Sequence, residues 1–296
     1  MKILVSGSTG LVGCALVPFL TQHGHLVTRL VRSKEQPGIL WNPAGGLISS
    51  TPFEGFDAMI HLAGENIASG RWTDEKKKLI RDSRVRGTQL LSETLARLKQ
   101  PPQTFISASA VGYYGDRGNE ILNEERPPGK GFLADVCRGW ETATAPATQK
   151  GIRVVNMRFG MILSPAGGAL AKMLLPFKMG MGGKIGSGNQ YMSWIALDDV
   201  LGAISHVLTT LSLRGPVNVV APRVVTNREY TKTLGRVLSR PTILPMPALV
   251  AKLAFGEMAD DLLLSSQRVE PTALFKNNYN FRFPNLEGAL RHLLHS

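Results

Sequence analysis

A chain of 296 residues, 43% of them hydrophobic and 19% charged, has the length for one large domain or two modest ones and the composition of a soluble globular protein. No apolar run is long enough to span a membrane, and Cys14 and Cys137 suggest neither a metal cluster nor a disulfide framework. We therefore expect a cytoplasmic protein with no metal and no membrane partner. The formal charge of +12 raises nucleic acid as a partner, but the basic run at 76–86 includes acidic neighbours. We expect no nucleic acid and interpret the run as a solvated helix face or a site for an anionic ligand.

The first half of the chain alternates strand and helix patterns. The long helix should bury an apolar stripe that includes Leu79, Leu90, Leu91 and Leu95. Regular strand–helix alternation predicts the α/β class, with a Rossmann-type, doubly wound parallel sheet covered on both faces. The predicted strands are 2–6, 26–31, 58–62, 104–107 and 154–158, and the predicted helices are 11–22, 74–98 and about 133–145.

The pattern changes after residue 164. Residues 164–190 are rich in glycine, methionine and proline, which predicts one helix followed by irregular loop, and a helix at 198–208 and a strand at 217–220 come next. From residue 226 onward the chain is mostly helical. We predict a nucleotide-binding domain at 1–163, completed by about 195–221, and a smaller, mostly helical C-terminal lobe made of 164–194 and 222–296. The substrate cleft should lie between them.

A glycine-rich loop follows the first predicted strand and leads into the first helix. Its spacing is G-x-x-G-x-x-G: Gly7 permits a tight turn, Gly10 lets the backbone approach a pyrophosphate, and Gly13 allows the helix to pack closely. The N-terminus of the helix offers free N–H groups to a phosphate. The predicted dinucleotide-binding loop consists of Gly7, Ser8, Thr9, Gly10, Leu11, Val12 and Gly13.

Several further segments occur in the order typical of one enzyme family, the extended short-chain dehydrogenase/reductases, which the chain resembles. They are HLAG at 61–64, SRVRGTQLL at 83–91, SAS followed by GYYGD at 107–116, MRFG at 157–160, and IGSGNQ to DDV at 185–200. The resemblance extends over essentially the whole chain. LAGENIA at 62–68, the stretch PFKMGMGGKIGSGNQ and the C-terminal lobe resemble the "epimerase family" branch, whose members are labelled nucleoside-diphosphate-sugar epimerases or SulA-like cell-division inhibitors.

This resemblance implies additional cofactor contacts. Arg84 stands at the position of the family's helix asparagine, where it would pair with a cofactor phosphate or a substrate acid, or else be a solvated helix arginine. The other residues that the resemblance places at the cofactor are Leu62, Ala63, Gly64, Ser107, Arg158, Phe159 and Gly160.

The end of the second strand bears on the choice of dinucleotide. NAD-specific proteins commonly place an acidic residue there, whereas this chain has Val31 followed by Arg32. A guanidinium can pair with the 2′-phosphate of NADP(H), which an acid would repel. Arg32 therefore favours NADP(H), the alternative being a surface arginine at a strand end.

The expected catalytic residues are mostly missing. Extended reductases use an Asn, Ser, Tyr and Lys set, in which the tyrosine exchanges a proton with the substrate oxygen. The Trp140-Glu141 pair aligns the Tyr-x-x-x-Lys helix so that the tyrosine position falls on Leu133 and the lysine position on Cys137. Neither side chain can do that work.

Two catalytic candidates remain. The family's serine has a counterpart in Ser109, and Tyr113 lies just beyond the same strand, where a phenol could reach a substrate or simply pack half-buried. Five further residues are substrate-side candidates, with structural alternatives such as helix capping for the glutamate and burial for the cysteine and tyrosine. They are Glu65, Tyr114, Cys137, Gln190 and Trp194.

The sequence thus predicts an NADP(H)-binding oxidoreductase or epimerase-like protein acting on a small carbonyl, hydroxy or sugar-nucleotide compound. The alternative is a non-catalytic NADP(H)-binding regulator or redox sensor that works through a protein partner, with cell division as one setting. A homodimer is a further expectation.

Overall fold

The computed structural model describes residues 1–43, 45 and 51–295. The helices are α1 (Leu11–Gln22), α2 (Asp74–Arg97), α3 (Phe132–Thr142), α4 (Ala145–Gln149), α5 (Gly168–Lys178), α6 (Leu197–Thr209), α7 (Asn227–Val237), α8 (Ala248–Phe255), α9 (Glu257–Ala259), α10 (Thr272–Lys276) and α11 (Leu286–His295). The strands are β1 (Lys2–Ser6), β2 (Leu26–Val31), β3 (Ile39–Leu40), β4 (Ala58–His61), β5 (Thr104–Ala110), β6 (Ile121–Leu122), β7 (Arg153–Phe159), β8 (Met161–Leu163), β9 (Tyr191–Met192), β10 (Trp194–Ala196), β11 (Gly215–Val219), β12 (Val225–Thr226) and β13 (Arg268–Val269).

The main sheet has seven parallel strands in the order β11-β7-β5-β4-β1-β2-β3. Alternate residues of each strand enter two separate cores, because a parallel sheet covered by helices is buried on both faces. Val5 and Ile60 lie in the core shared with α1 and α6, whereas Leu4 and Met59 lie in the core shared with α2. The predicted Rossmann-type fold is confirmed.

The long helix α2 forms where predicted, but its buried face is rotated from the predicted one. Thr73 caps it by accepting a hydrogen bond from the N–H of Lys76, and Leu91 and Leu95 are buried as expected. Leu79 was predicted on the apolar stripe and is 58% exposed, whereas Ile80 is fully buried. The prediction for Leu79 is wrong because Ile80, and not Leu79, shares the helix face with Leu91 and Leu95.

The C-terminal lobe is mostly helical and has its own core. This core brings Leu163, Phe177 and Trp194 together with residues of α7 and α11. The two-stranded parallel pairing of β6 with β13 joins the lobe to the loops that follow β5. The domain boundaries at 163 and 195–221 stay a prediction. Within the described ranges, every helix is too short or too polar to cross a bilayer.

Candidate functional site

The glycine loop lies at the carboxyl end of β1 and is held in place by close backbone contacts. Gly7 has a φ of +70°, and a Cβ there would lie 2.6 Å from the carbonyl carbon of Leu62. A Cβ on Gly13 would lie 2.2 Å from the carbonyl oxygen of Gly7. Gly10 is the N-cap of α1, so the first N–H groups of that helix are free for a ligand.

A buried histidine contacts the end of β1, where this loop begins. Ser6, the last residue of β1, lies with its Oγ 2.6 Å from Nδ1 of His61 at the end of β4. Burial lowers the pKa of His61 to about 3, so the imidazole is neutral at physiological pH. Leu62 and Ala63 follow directly and lie beside Gly7 of the glycine loop, whereas Gly64 lies against the guanidinium of Arg84.

Arg32 lies immediately after β2 and is exposed, whereas Val31 is buried in the sheet. Arg32 forms no ion pair with any residue that the structure describes. Its guanidinium is therefore available at the strand end where a ribose 2′-phosphate would be read in this fold.

Arg84 on α2 carries a second available cation. Its guanidinium lies 5.0 Å from the ring centroid of Trp140, and its Nη1 donates to the carbonyl of Ile80. A Cβ added to Gly64 would lie 3.2 Å from Cζ of Arg84. Burial lowers the pKa of Arg84, and no ion pair within the described chain neutralises it. A half-buried cation under the loop after β4 is suited to an anionic group.

The carboxyl ends of β5 and β7 hold a buried ion pair. Arg158 is 2% exposed and donates from Nε and Nη2 to the two carboxylate oxygens of Glu141, both at 2.7 Å. Although burial opposes its charge, the bonds to Glu141 hold the pKa of Arg158 above its usual value. Ser109 also donates to Glu141 at 2.7 Å. The catalytic candidate Ser109 and the cofactor candidate Arg158 are thus bound to the same carboxylate.

The two tyrosines behave differently. Tyr114 is fully buried; its hydroxyl donates to Asn218, accepts from Arg158, and has its pKa raised to about 12 by burial. The hydroxyl of Tyr114 is thus bound to Arg158 and Asn218, and its predicted place on the substrate side stays a prediction. Tyr113 is half-buried, with its ring centroid 3.5 Å from Cζ of Arg158.

Two other substrate-side candidates are structural residues. Gln190 is 7% exposed and donates to the carbonyls of Ile185 and Leu263, so it holds two loops together. Trp194 is fully buried in the core of the C-terminal lobe, and its Nε1 donates to the carbonyl of Arg223. The polar atoms of both side chains are thus bonded inside the protein, and their predicted place on the substrate side stays a prediction.

The remaining predicted residues are placed as follows. Glu65 forms an ion pair with Lys76 at 2.5 Å, which favours a structural role at the start of α2. Ser107 is fully buried and donates to the carbonyl of Ala108. Phe159 is the last residue of β7 and Gly160 follows it; a Cβ on Gly160 would lie 2.6 Å from the carbonyl oxygen of Ser193.

A cavity of about 180 Å³ lies near the start of α3. Sequence reasoning missed its most informative residue, Asp261, which comes from the C-terminal lobe and belongs to no motif. Its Oδ2 accepts a hydrogen bond from the N–H of Leu133 at 3.4 Å, and burial raises the pKa of its carboxyl. The lining residues are Gly112, Gly115, Asp116, Lys130, Leu133, Ala134, Asp260, Asp261, Leu264, Ser265 and Gln267.

Known proteins match this chain over nearly its whole length. Residues 3–220 match the NAD dependent epimerase/dehydratase family, and residues 246–293 match a domain of unknown function (DUF1731). The chain belongs to the NAD-dependent epimerase/dehydratase family. It is 42% identical over 290 residues to the epimerase family protein Mb2239 of Mycobacterium bovis, covering 97% of this chain and 96% of that protein. It is 37% identical to the human epimerase family protein SDR39U1, covering 99% of this chain and all of that protein.

Solved structures of the family agree. The crystal structure of human SDR39U1 with NADPH superposes with a TM-score of 0.92 at 35% identity and covers all of this chain and 99% of that one. The Thermus thermophilus UDP-glucose 4-epimerase in complex with NAD has a TM-score of 0.75 at 19% identity, covers 100% of this chain and 98% of that one, and shows the shared fold. The predicted membership of the extended reductases is thereby confirmed.

Within this family the chain departs from the expected pattern at α3. Leu133 is half-buried and lines the cavity. Cys137 is 3% exposed, and burial raises the pKa of its thiol to about 12. A protonated, buried thiol cannot replace a lysine ammonium, so Cys137 has neither the charge nor the access of the family's lysine.

Proposed function

We propose that the protein is an NADP(H)-dependent oxidoreductase that acts on a small carbonyl or hydroxy compound. The observation that carries this proposal is the combination of two sites. One is the glycine loop at the carboxyl end of β1, which we call the glycine cradle, and the other is a separate cavity at the start of α3, where the family's tyrosine would project. A binding site for a dinucleotide and an adjacent space for a small substrate are the two parts that such a reaction needs.

The residues present fit a dinucleotide phosphate. The lack of side chains on Gly7 and Gly13 lets the loop pack closely against the backbone around it, and the free N–H groups of α1 would receive the pyrophosphate. Arg32 would hold the 2′-phosphate by paired hydrogen bonds. Human SDR39U1, which is crystallised with NADPH, supports the choice of NADP(H) over NAD. When bound, this cofactor supplies hydride transfer; the chain's own residues must orient the substrate and hold a proton.

Asp261 is the best placed group to hold that proton. It lines the cavity beside Leu133. Because burial raises its pKa, its carboxyl group holds a proton more readily than that of an ordinary aspartate. Among the described residues, the cavity is also lined by Asp116, by Asp260, which pairs with Lys252 at 2.8 Å, and by one cation, Lys130. An excess of carboxylates disfavours a diphosphate there, so we propose a neutral or cationic substrate group and keep a sugar nucleotide as the less favoured option.

The test is consumption of NADPH with carbonyl compounds of three kinds: neutral, cationic and anionic. We expect turnover with a neutral or cationic compound and a loss of kcat of about hundredfold in Asp261→Asn, the size of a general acid's contribution. NADPH affinity should not change. Asp135→Asn, an exposed aspartate of α3 that pairs with Arg138, is the matched control and should retain full activity. Equal activity of Asp261→Asn and wild type would remove Asp261 from the reaction.

A second candidate function is a non-catalytic NADP(H)-dependent regulator acting through a protein partner. It is favoured by Leu133 and Cys137 and by the engagement of Ser109 with Glu141. It predicts tight NADPH binding without turnover of any carbonyl, and a partner whose capture from lysate depends on NADPH. Identical capture with and without NADPH would count against it. A cytoplasmic location and a homodimer are proposals that accompany either function.

A further inference from the structure

Exposed apolar side chains are concentrated in one part of the C-terminal lobe. In the described part of the chain, sixteen large hydrophobic residues are exposed, and nine of them fall within 175–181 and 243–262. Single exposed leucines are normal on a soluble protein, but a concentration of this kind marks an interaction surface. The nine are Leu175, Met179, Met181, Ile243, Leu244, Leu249, Val250, Leu253 and Leu262, with exposures from 37% to 77%.

Helical spacing and loop contacts bring most of these residues together. Lys172 and Leu175 on α5 and Met179, which follows the last residue of that helix, are spaced i, i+3 and i+7, so they lie on one side; on α8, Leu249 and Leu253 are spaced i, i+4. The loops that extend from the two helices are bonded to each other, because Arg240 donates to the carbonyl of Lys178. The N–H of Met246 likewise donates to the carbonyl of Lys184. We name residues 172–184 and 240–253 the α5/α8 surface.

The charges on the α5/α8 surface all have one sign. Its two stretches contain five cations and no carboxylate: Lys172, Lys178, Lys184, Arg240 and Lys252. Lys252 pairs with Asp260 at 2.8 Å, and none of the other four forms an ion pair within the described ranges. Aliphatic side chains accompanied by lysines, on a chain of net charge +12, are complementary to an apolar layer behind a negative surface.

Two other occupants fit less well. A second copy of this chain would meet the same surface across a two-fold axis, so its cations would face like charges. A protein partner is usually bound through tyrosine, tryptophan and arginine anchors. The exposed apolar residues of the α5/α8 surface are leucine, isoleucine, valine and methionine, with no aromatic residue among them.

We propose that the α5/α8 surface docks on an anionic lipid bilayer, with its leucines in the headgroup–acyl boundary and its lysines at the phosphates. The expectation of no membrane partner rested on the lack of a spanning segment, which does not bear on helices lying in the plane of the interface. The proposal does not rest on the proposed reaction, since no residue of the α5/α8 surface belongs to the glycine cradle or to the described lining of the cavity by Asp261; Lys252 contacts that lining through its ion pair with Asp260.

The test is co-sedimentation of the full chain with vesicles of phosphatidylcholine, with and without phosphatidylglycerol. We expect binding only to the anionic vesicles, weakened by salt. Leu249→Glu with Leu253→Glu should reduce partitioning by more than tenfold, because the apolar contact is lost and two negative charges face the lipid. Lys178→Gln should reduce it by about fivefold, the usual contribution of one basic residue near such a surface.

Matched controls separate this surface from the general attraction of a basic protein. Leu26→Glu with Leu211→Glu changes the charge by the same amount at two exposed leucines elsewhere, at 68% and 64% exposure. Lys150→Gln removes an exposed lysine outside the surface. Both controls should bind nearly as well as wild type, and melting temperatures should match across all four variants. Equal losses in controls and surface variants, or no binding to anionic vesicles, would overturn the proposal.

Discussion

Two regions at the carboxyl ends of the sheet strands differ in whether their polar groups are free or bonded to one another. The glycine cradle is defined by the absence of side chains: atoms on Gly7 or Gly13 would collide with backbone, and the cations near it, Arg32 and Arg84, are free of ion pairs within the described chain. The ends of β5 and β7 are the reverse, since Arg158, Glu141 and Ser109 bond to one another. One region therefore leaves backbone and cations available to a ligand, whereas in the other the polar side chains are already bonded to one another.

The largest expected effect lies in the internal network. Glu141→Gln leaves the buried guanidinium of Arg158 without an anion, and breaking one side of a buried ion pair typically costs about 3–5 kcal/mol. Urea unfolding should show that loss. Asp135→Asn breaks an exposed pair with Arg138 on the same helix and should cost less than about 1 kcal/mol. If both variants were equally stable, the network would be no more than a surface feature.

A side chain added to the glycine cradle should lower the affinity for NADPH. In Gly13→Ala the new Cβ would lie 2.2 Å from the carbonyl of Gly7, so the loop must shift away from the pyrophosphate position. We expect NADPH affinity, followed by nicotinamide fluorescence, to fall about hundredfold, or about 2.7 kcal/mol. Gly288→Ala in α11 meets no atom within 4 Å and serves as the control. Unchanged affinity in Gly13→Ala would place the dinucleotide elsewhere.

Arg32 should determine the preference of the glycine cradle for NADPH over NADH. Arg32→Ala should weaken NADPH by about tenfold or more and leave NADH unaffected, because a bond to a charged phosphate contributes roughly 1.5–3 kcal/mol. Arg29→Ala, a nearby exposed arginine of β2, is the control. Equal loss for NADPH and NADH would show that Arg32 contacts the shared part of the two molecules.

The smallest effect is expected at the former lysine position. Since burial raises the pKa of Cys137 to about 12, its thiol stays protonated and a thiol reagent at pH 8 should modify one cysteine, the exposed Cys14. A folded-state pKa above the unfolded value gives stability that is full below about pH 9 and is lost as pH rises towards 12. Cys137→Ala should remove that alkaline component. Two rapidly reacting thiols in the native protein would contradict the burial.

The sequence predicted the sheet and the cradle because both depend on local patterns. The α2 stripe was partly wrong, since Leu79 and Ile80 are both apolar and only the packing of the helix decides between them. The sequence did not predict the burial of Tyr114, Gln190 and Trp194, because their partners, such as Asn218 and Leu263, lie far away in the chain. Asp261 was missed for the same reason: its place beside α3 follows from long-range packing and from no motif.

The parallel pairing of β6 with β13 joins two stretches of chain about 150 residues apart, and the same two regions supply the walls of the cavity. One wall is formed by residues between 112 and 134, which include the first turn of α3, and the other by residues between 260 and 267, which follow α9. Only the first of these walls belongs to the same half of the chain as the cradle. A related protein that differed only in its C-terminal stretch would keep the glycine cradle unchanged and have a cavity with a different lining. Such a scaffold can change what it recognises without rebuilding what it carries.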